Sequence, residues 1–325
     1  MLQYSITNNL PTYYIQEMTS HLTRINKVIL RHVPHTLESA LTSIQNVVID
    51  VNEAVKQHQQ YMDVIQNELP KENIFICAAD DNYPDCVFVE DSAVMISPDA
   101  ALLTHMGNET RRGESHEILS TFKKLGLQNI IDMRDYEGAY MDGGDVLNTG
   151  RHFFVGKSTR TNEAGIQVLK DALKMVNSKI PVVSVPVPNT LHYKCCITCV
   201  DEYNLIISDT VEGRNLIQSS LQLLTSDTDE NHIGSQLNVD KHNYNLHYVE
   251  NDVAANIVRM NNVLIVPQNV NEKSQTVYNN LINTIDGLDE IKHVPNGEFT
   301  KIDGSLTCRS ILLWEYTRQG LLNNA

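Results

Sequence analysis

The sequence predicts an α/β protein built from five strand-and-helix modules closed into a ring. Two observations predict it: a short apolar run followed by a segment of helical spacing occurs five times, and a sixth apolar run near the C-terminal end has no helix after it. The first run is Val28 to Leu30 and the second Ala101 to Leu103. The third, Phe153 to Val155, precedes apolar positions at Ala164, Val168, Leu169, Ala172 and Leu173, which share one face of a helix. The fourth, Leu205 to Ile207, precedes Leu216, Leu221 and Leu224, and the fifth, Val263 to Val266, precedes Val277, Leu281 and Ile285. From the second onward these runs start at residues 101, 153, 205 and 263, an interval close to that of modular repeats. The sixth run, Ile311 to Trp314, is free to return and pair with the first unit. An open α/β sheet is the competing arrangement, and strand periodicity alone does not separate the two.

No Pro/Ser/Gly-rich linker divides the chain, and the polar stretch Ser226 to Asn231 reads as a surface loop, so residues 27–325 are expected to form one domain. Residues 1–26 form an extension without a legible role, and the tail after Trp314 is equally mute.

Among 325 residues, 25 Lys and Arg face 40 Asp and Glu, for a formal charge of -15. Such a field repels phosphate backbones and argues against nucleic acid, while it suits a small cationic ligand. The first basic residue is Arg24, so the start lacks the charged region of a secretory signal or transit peptide, and no apolar run reaches membrane-spanning length. Six cysteines are too sparse for a disulfide scaffold and point to reduced thiols in the cytoplasm. The oligomeric state, a homodimer included, is open.

Four polar clusters hold the candidate chemistry. In Asp85-Cys-Val-Phe-Val-Glu-Asp91, read as a strand, alternation puts Asp85, Val87, Val89 and Asp91 on one face, and carboxylates at the end of a buried strand suit a planar guanidinium; a solvated strand end is the bland alternative. Asp142-Gly-Gly-Asp145 places two acids around a glycine pair that permits close approach to a ligand, or a plain hairpin turn. Leu191-His192-Tyr-Lys-Cys-Cys-Ile-Thr-Cys199 invites a metal reading. On a strand, however, Cys195 and Cys196 face opposite sides and no second Cys/His pair completes a tetrahedral site, so buried packing cysteines are expected and no metal. His192 is then a satisfied surface histidine or a catalytic base. Finally, Lys301-Ile-Asp-Gly-Ser-Leu-Thr-Cys308 ends a polar turn at a cysteine that leads into the last strand, where a thiol is either buried and inert or placed at a cleft. A Cys and a His far apart in sequence are the expected arrangement of a thiol enzyme.

Taken in order with Arg111-Arg112, Lys157-Ser-Thr-Arg160-Thr-Asn162 and the Val33-Pro-His-Thr-Leu37 segment, these blocks resemble the dimethylarginine dimethylaminohydrolases over roughly residues 27–314. The resemblance implies a five-module α/β propeller and hydrolysis of asymmetric dimethylarginine or monomethylarginine to citrulline and an amine, with no cofactor and a small-molecule partner only. It implies Cys308 as the nucleophile of a covalent thiouronium intermediate, His192 as acid and base, and Asp142 as the acid that orients His192. Asp91 would hold a guanidinium nitrogen with Glu90 supporting it, Arg111 and Arg160 would clamp the α-carboxylate, and Asp85 with the backbone of Leu37 would grip the α-amino end. Ile302 would add a main-chain contact before the nucleophile. Related arginine deiminases and amidinotransferases carry an acid two residues after the histidine, where this chain has Lys194, which favours an alkylated guanidine over arginine itself. Arginine deimination and a non-catalytic sensor of arginine derivatives are the rival readings; the joint presence of Cys308, His192 and Asp142 counts against the sensor.

Overall fold

The computed structural model describes residue 22, residues 24–226 and residues 243–315. Most of the N-terminal extension, the loop beyond Ser226 and the tail after residue 315 lie outside these. The first strand, β1 (Ile25–Arg31), begins two residues inside the expected extension.

Each of the five module strands expected from the apolar runs is the middle member of a three-stranded sheet, and the structure contains five such sheets among the described residues. Four modules follow one chain order. A leading strand runs antiparallel to the middle one, a helix crosses over, and a third strand returns parallel to the middle. In the second module these are β3 (Ala93–Ser97), β4 (Ala100–Leu103), α2 (Ser115–Lys124) and β5 (Asn129–Asp132). The third is β6 (Val146–Asn148), β7 (Phe153–Lys157), α3 (Glu163–Met175) and β8 (Val182–Pro186), and the fourth β9 (Ile197–Cys199), β10 (Asn204–Ser208), α4 (Val211–Ser226) and β11 (Asn245–Val249). A short α5 (Asp252–Ala255) precedes the fifth, which is β12 (Val258–Met260), β13 (Val263–Pro267), α6 (Glu272–Thr284) and β14 (Glu290–Val294). The first module starts with its middle strand β1, then α1 (Val51–Glu68) and β2 (Ile74–Cys77), and takes its leading strand from the far end of the chain: β15 (Ile311–Trp314) pairs antiparallel with β1, Ile29 opposite Ile311. The expected return of the sixth apolar run is therefore met.

Burial explains the order. The middle strands are almost wholly enclosed, which is why they read as unbroken apolar runs, whereas β5 and β8 alternate or stay half exposed and escaped notice. Helix starts are set by side-chain caps, with Asp50 accepting from Glu53 N, Asn162 from Gly165 N and Asn271 from Ser274 N. One apolar cluster joins the first, second and fifth modules, and three others join second to third, third to fourth and fourth to fifth. Core contacts thus run from each module to the next and from the fifth back to the first. The leading strands supply Val94, Leu147, Cys199, Arg259 and Leu312 to the wall of a single cavity of about 150 Å³, so all five modules turn their leading strands to a common axis.

Two local expectations give way. Residues 85–91 form no strand; they run through turns into a 3-10 turn at Val89–Ser92, held by Cys86 N donating to Tyr83 O and Phe88 N to Asp85 O. His192 likewise opens a 3-10 turn, Tyr193–Cys195, before β9 starts. These turns replace strand alternation as the device that aims the polar side chains. No helix among the described residues is long and apolar enough to cross a membrane.

Candidate active site

The polar turns lie in front of the leading strands. Val89–Ser92 precedes β3, Gly143–Asp145 precedes β6, Tyr193–Cys195 precedes β9 and Thr307–Arg309 precedes β15. Four motifs separated by up to about two hundred residues are brought together because pseudo-symmetric modules repeat one position around one axis.

His192 is the centre. It is 5 % exposed, its Nε2 lies 3.0 Å from Asp142 Oδ2, and its Nδ1 lies 4.0 Å from Asp91 Oδ1. Burial disfavours the imidazolium, but Asp91, the Asp142 bond and Asp145 outweigh it and raise the pKa to about 9. Asp142 is fully buried, and its second oxygen accepts the Gly107 N–H at 2.9 Å, which fixes the carboxylate plane. The three groups Asp91, Asp142 and His192 also have the spacing of a cation site. A protonated ring with a carboxylate at each nitrogen accounts for that spacing by itself.

Asp91 is held low despite burial by His192 and Arg111, and its Oδ1 accepts the Gly144 N–H at 2.9 Å. Gly144 is needed for this approach. A Cβ there would stand 2.6 Å from His192 Nδ1 and 2.8 Å from Asp91 Oδ1. Gly144→Ala is expected to lower kcat at least about a hundredfold, since a displacement of about 1 Å of catalytic groups has that cost, while far-UV circular dichroism stays that of the wild type; near-normal kcat would show that His192 and Asp91 need not sit this close.

Cys308 lies in the Thr307–Arg309 turn, packed against the cluster of Phe88, Phe299 and Ile302. Burial, Glu90 and Asp91 push its thiol up to about 12, so it rests protonated. The turn is tied down on three sides. Thr307 Oγ1 donates to Glu90 Oε2 at 2.8 Å, Thr307 N donates to Asn256 Oδ1 at 2.9 Å, and the fully buried Arg309 lies over the rings of Tyr61 and Phe299 while donating to Asn296 Oδ1 at 3.0 Å.

Glu90 is not free to meet a ligand alone, because Lys194 Nζ lies 2.6 Å from its Oε1. Both side chains are largely buried, so removing either partner would leave an uncompensated charge at a cost of about 3–5 kcal/mol. The two also reach the axial cavity, which neither Cys308 nor His192 lines.

The expected carboxylate clamp divides. Arg160 is half-buried, and its guanidinium has no hydrogen-bond or ion-pair partner among the described residues; its charge reaches Asp85. Arg111, by contrast, is already engaged: Nη1 donates to Asp91 Oδ2 at 2.7 Å, Nε and Nη2 pair with Glu114, and Nη2 also reaches Phe88 O. It stands behind Asp91, where it neutralises and orients that carboxylate.

Asp85 is buried and its carboxylate accepts the N–H of Leu41 at 3.2 Å. Burial raises its pKa against the pull of Arg111. The backbone atom of the 35–50 segment that meets Asp85 is thus that of Leu41. Leu37 has its side chain in the apolar cluster and its carbonyl accepting from Ala40 N. That segment is strapped across the site by Thr36 Oγ1 to Asp81 O, Thr42 Oγ1 to Lys301 O and Ser43 Oγ to Asp303 Oδ1. Ile302 is buried, with its N–H donating to Phe299 O, and Asp303 after it takes a φ of 57° that turns the chain toward the nucleophile. Cys196 and Cys199, from the cysteine cluster, point to Asp252 and to Asn148 O, away from His192.

The family described as "N,N dimethylarginine dimethylhydrolase, eukaryotic" matches residues 38–287, a stretch that ends before Ile302 and Cys308. An N(G),N(G)-dimethylarginine dimethylaminohydrolase of Streptomyces coelicolor is 33 % identical over 180 residues, 55 % of this chain and 66 % of that relative. Its namesake in Pseudomonas aeruginosa is 24 % identical over 286 residues, covering 87 % and 98 %. Among solved structures, a cysteine-to-serine variant of the Pseudomonas protein complexed with citrulline superposes with a TM-score of 0.72 at 22 % identity, over 89 % of this chain and 99 % of that one. The N-terminal domain of a cyanobacterial arginine dihydrolase superposes at 0.66 and 15 % identity, over 89 % and 98 %. These structural likenesses show that the chain shares the fold of those proteins, with five small α/β sheets among its described residues.

Proposed function

Because the chain belongs to the dimethylarginine dimethylaminohydrolase family, hydrolases of amidine C–N bonds, we propose that it converts asymmetric dimethylarginine and monomethylarginine to citrulline and the corresponding amine through a covalent intermediate on Cys308. The observation that carries this reading is a single imidazole held between Asp142 and Asp91, with the Cys308 turn tied to the neighbouring Glu90.

The substrate guanidinium enters as a cation against Asp91. It offsets the burial and carboxylate field that raise the Cys308 thiol, so the thiol gives up its proton to solvent and the thiolate forms with the substrate in place. The sulfur then attacks the guanidinium carbon, forming a C–S bond. His192, protonated near neutrality, gives its proton to the alkylated nitrogen as the C–N bond breaks and the amine departs. Neutral His192 next takes a proton from water, whose oxygen attacks the same carbon; the C–S bond breaks, the thiolate leaves and citrulline is released. Asp142 holds the ring orientation throughout and stabilises its charged form. Acid quenching during turnover, followed by intact-mass measurement, is expected to reveal a fraction of the protein carrying on Cys308 the substrate less its departed amine; a chain that releases citrulline with no adduct at any time point would remove the covalent step.

Selectivity follows from Lys194. Where related enzymes hold a second carboxylate, this chain has an ammonium that neutralises Glu90, so the site offers fewer anionic partners to an unsubstituted guanidinium and favours a nitrogen bearing methyl groups. Arg160 is the cation left for the α-carboxylate. Arg160→Ala is expected to raise KM about tenfold to a hundredfold, the worth of one charge-assisted hydrogen bond, with kcat changed little; an unchanged KM would take Arg160 out of substrate binding.

A further inference from the structure

Asp145, the second acid of the Asp142-Gly-Gly-Asp145 turn, has no substrate role in the proposed chemistry, yet it is fully buried and no Lys or Arg pairs with it among the described residues. A carboxylate in that setting is expensive unless its oxygens are satisfied. Its partners come from two other active-site segments. Oδ1 accepts the N–H of Tyr193, the residue after His192, at 3.0 Å, and Oδ2 accepts the Ser158 hydroxyl at 2.6 Å. Ser158 Oγ in turn accepts the N–H of Arg160 at 2.9 Å and of Thr161 at 3.2 Å. The Thr161 hydroxyl also bonds to Asp145 and accepts the Asp142 N–H at 3.2 Å.

We infer that Asp145 is a positioning residue that couples the acid/base end of the site to the substrate-carboxylate end: one buried carboxylate fixes the backbone at His192 and, through Ser158, the backbone that presents Arg160. The coupling rests on the reading of Arg160 and His192 given above. Space is reserved for it, since a Cβ on Gly156 would stand 2.6 Å from Asp145 Oδ1. Its charge also acts on His192 directly, together with Asp91 and Asp142, and against burial. Burial in turn raises Asp145 to about 6, with His192 and Ser158 pulling it back.

The network separates into two arms that are tested separately. Ser158→Ala removes the arm to Arg160, with the acceptor of the Thr161 N–H, and leaves the Tyr193 bond to Asp145 in place. It is expected to raise KM for dimethylarginine about tenfold, with kcat within about threefold, and to leave the titration midpoint of His192, followed by NMR of the labelled ring, where it is in the wild type. Asp145→Asn keeps an acceptor for Tyr193 N–H but removes the charge and offers an N–H to a hydroxyl that already accepts two. It is expected to raise KM, lower kcat at least about tenfold, and move the His192 midpoint down by about one pH unit, the direction expected when one of the carboxylates facing the ring from the 91, 142 and 145 positions is lost. The other charged or titratable groups of the cluster, Glu90, Lys194, Arg111, Cys195 and Cys308, are unchanged in both variants.

Wild-type KM in Ser158→Ala, or an unmoved His192 midpoint in folded Asp145→Asn, would overturn the coupling. Should Asp145→Asn fail to fold, Ser158→Ala decides by its KM. Should wild-type protein turn over no methylated arginine, the functional reading fails by itself, while the His192 midpoint and the calorimetric affinity for dimethylarginine in the same variants still decide whether Asp145 links the two ends.

Discussion

Cys308→Ser is expected to lower turnover of asymmetric dimethylarginine by about 10⁴-fold or more, a loss typical of removing a nucleophile, while calorimetric affinity for the substrate stays within about threefold of the wild type. Serine keeps the size and position of the side chain. Thr307 remains bonded to Glu90 and Asn256, and Arg309 remains seated over Tyr61 and Phe299, so the turn is preserved. What is lost is acidity. The thiol already stands at about 12 because burial, Glu90 and Asp91 disfavour the thiolate, and a cationic guanidinium brings it within reach of ionisation. A hydroxyl starts several units higher and gains no comparable advantage. Turnover above about one tenth of the wild-type rate would exclude Cys308 as the nucleophile.

The second large effect belongs to His192. His192→Ala is expected to reduce kcat by about 10²- to 10⁴-fold, the range for loss of a general acid and base, with the greater loss on the substrate whose amine is the poorer leaving group. The wild-type pH profile tests the same assignment. With the thiol at about 12 and His192 at about 9, the resting form carries one proton more than the thiolate–imidazolium form that reacts. The reacting form therefore accumulates as the first proton is lost, and kcat/KM rises with pH up to about 9 before levelling. A kcat/KM that falls from neutrality toward pH 9 would mean that His192 is not the proton donor, or that its charge is not raised by Asp91, Asp142 and Asp145.

The middle strands were legible in the sequence because enclosure on both faces leaves an uninterrupted apolar run, as at Phe153 to Val155 or Val263 to Val266. Among the leading strands β15 was legible as the sixth apolar run; the others, three- to five-residue segments such as Ile197–Cys199, were not, since they take their character from the axial packing. The Asp85 to Asp91 block shows the limit of alternation. Its acids are aimed by successive turns, so Asp85 meets Leu41 while Asp91 meets Arg111 and Gly144. The resemblance put both arginines on a carboxylate ligand; in the structure Glu114, three residues along the same segment, pairs with Arg111 because that segment turns. The Glu90–Lys194 pair joins positions 104 residues apart and has no local signal. A trace of Asp145 was visible, in that a second acid flanking a Gly pair invites a role; the need for it came into view only with Ser158 and Tyr193 at its two oxygens.

The measurement that tests the central assignment most directly is the release of citrulline and of amine from the purified protein supplied in parallel with asymmetric dimethylarginine, monomethylarginine and arginine, with Cys308→Ser as control. The expected result is stoichiometric citrulline and dimethylamine from the first substrate, methylamine from the second, little ammonia from arginine, and none of these from the variant. Ammonia from arginine at a higher kcat/KM than dimethylamine from dimethylarginine would place the chain among arginine-hydrolysing enzymes instead, and binding of all three without product would make it a sensor.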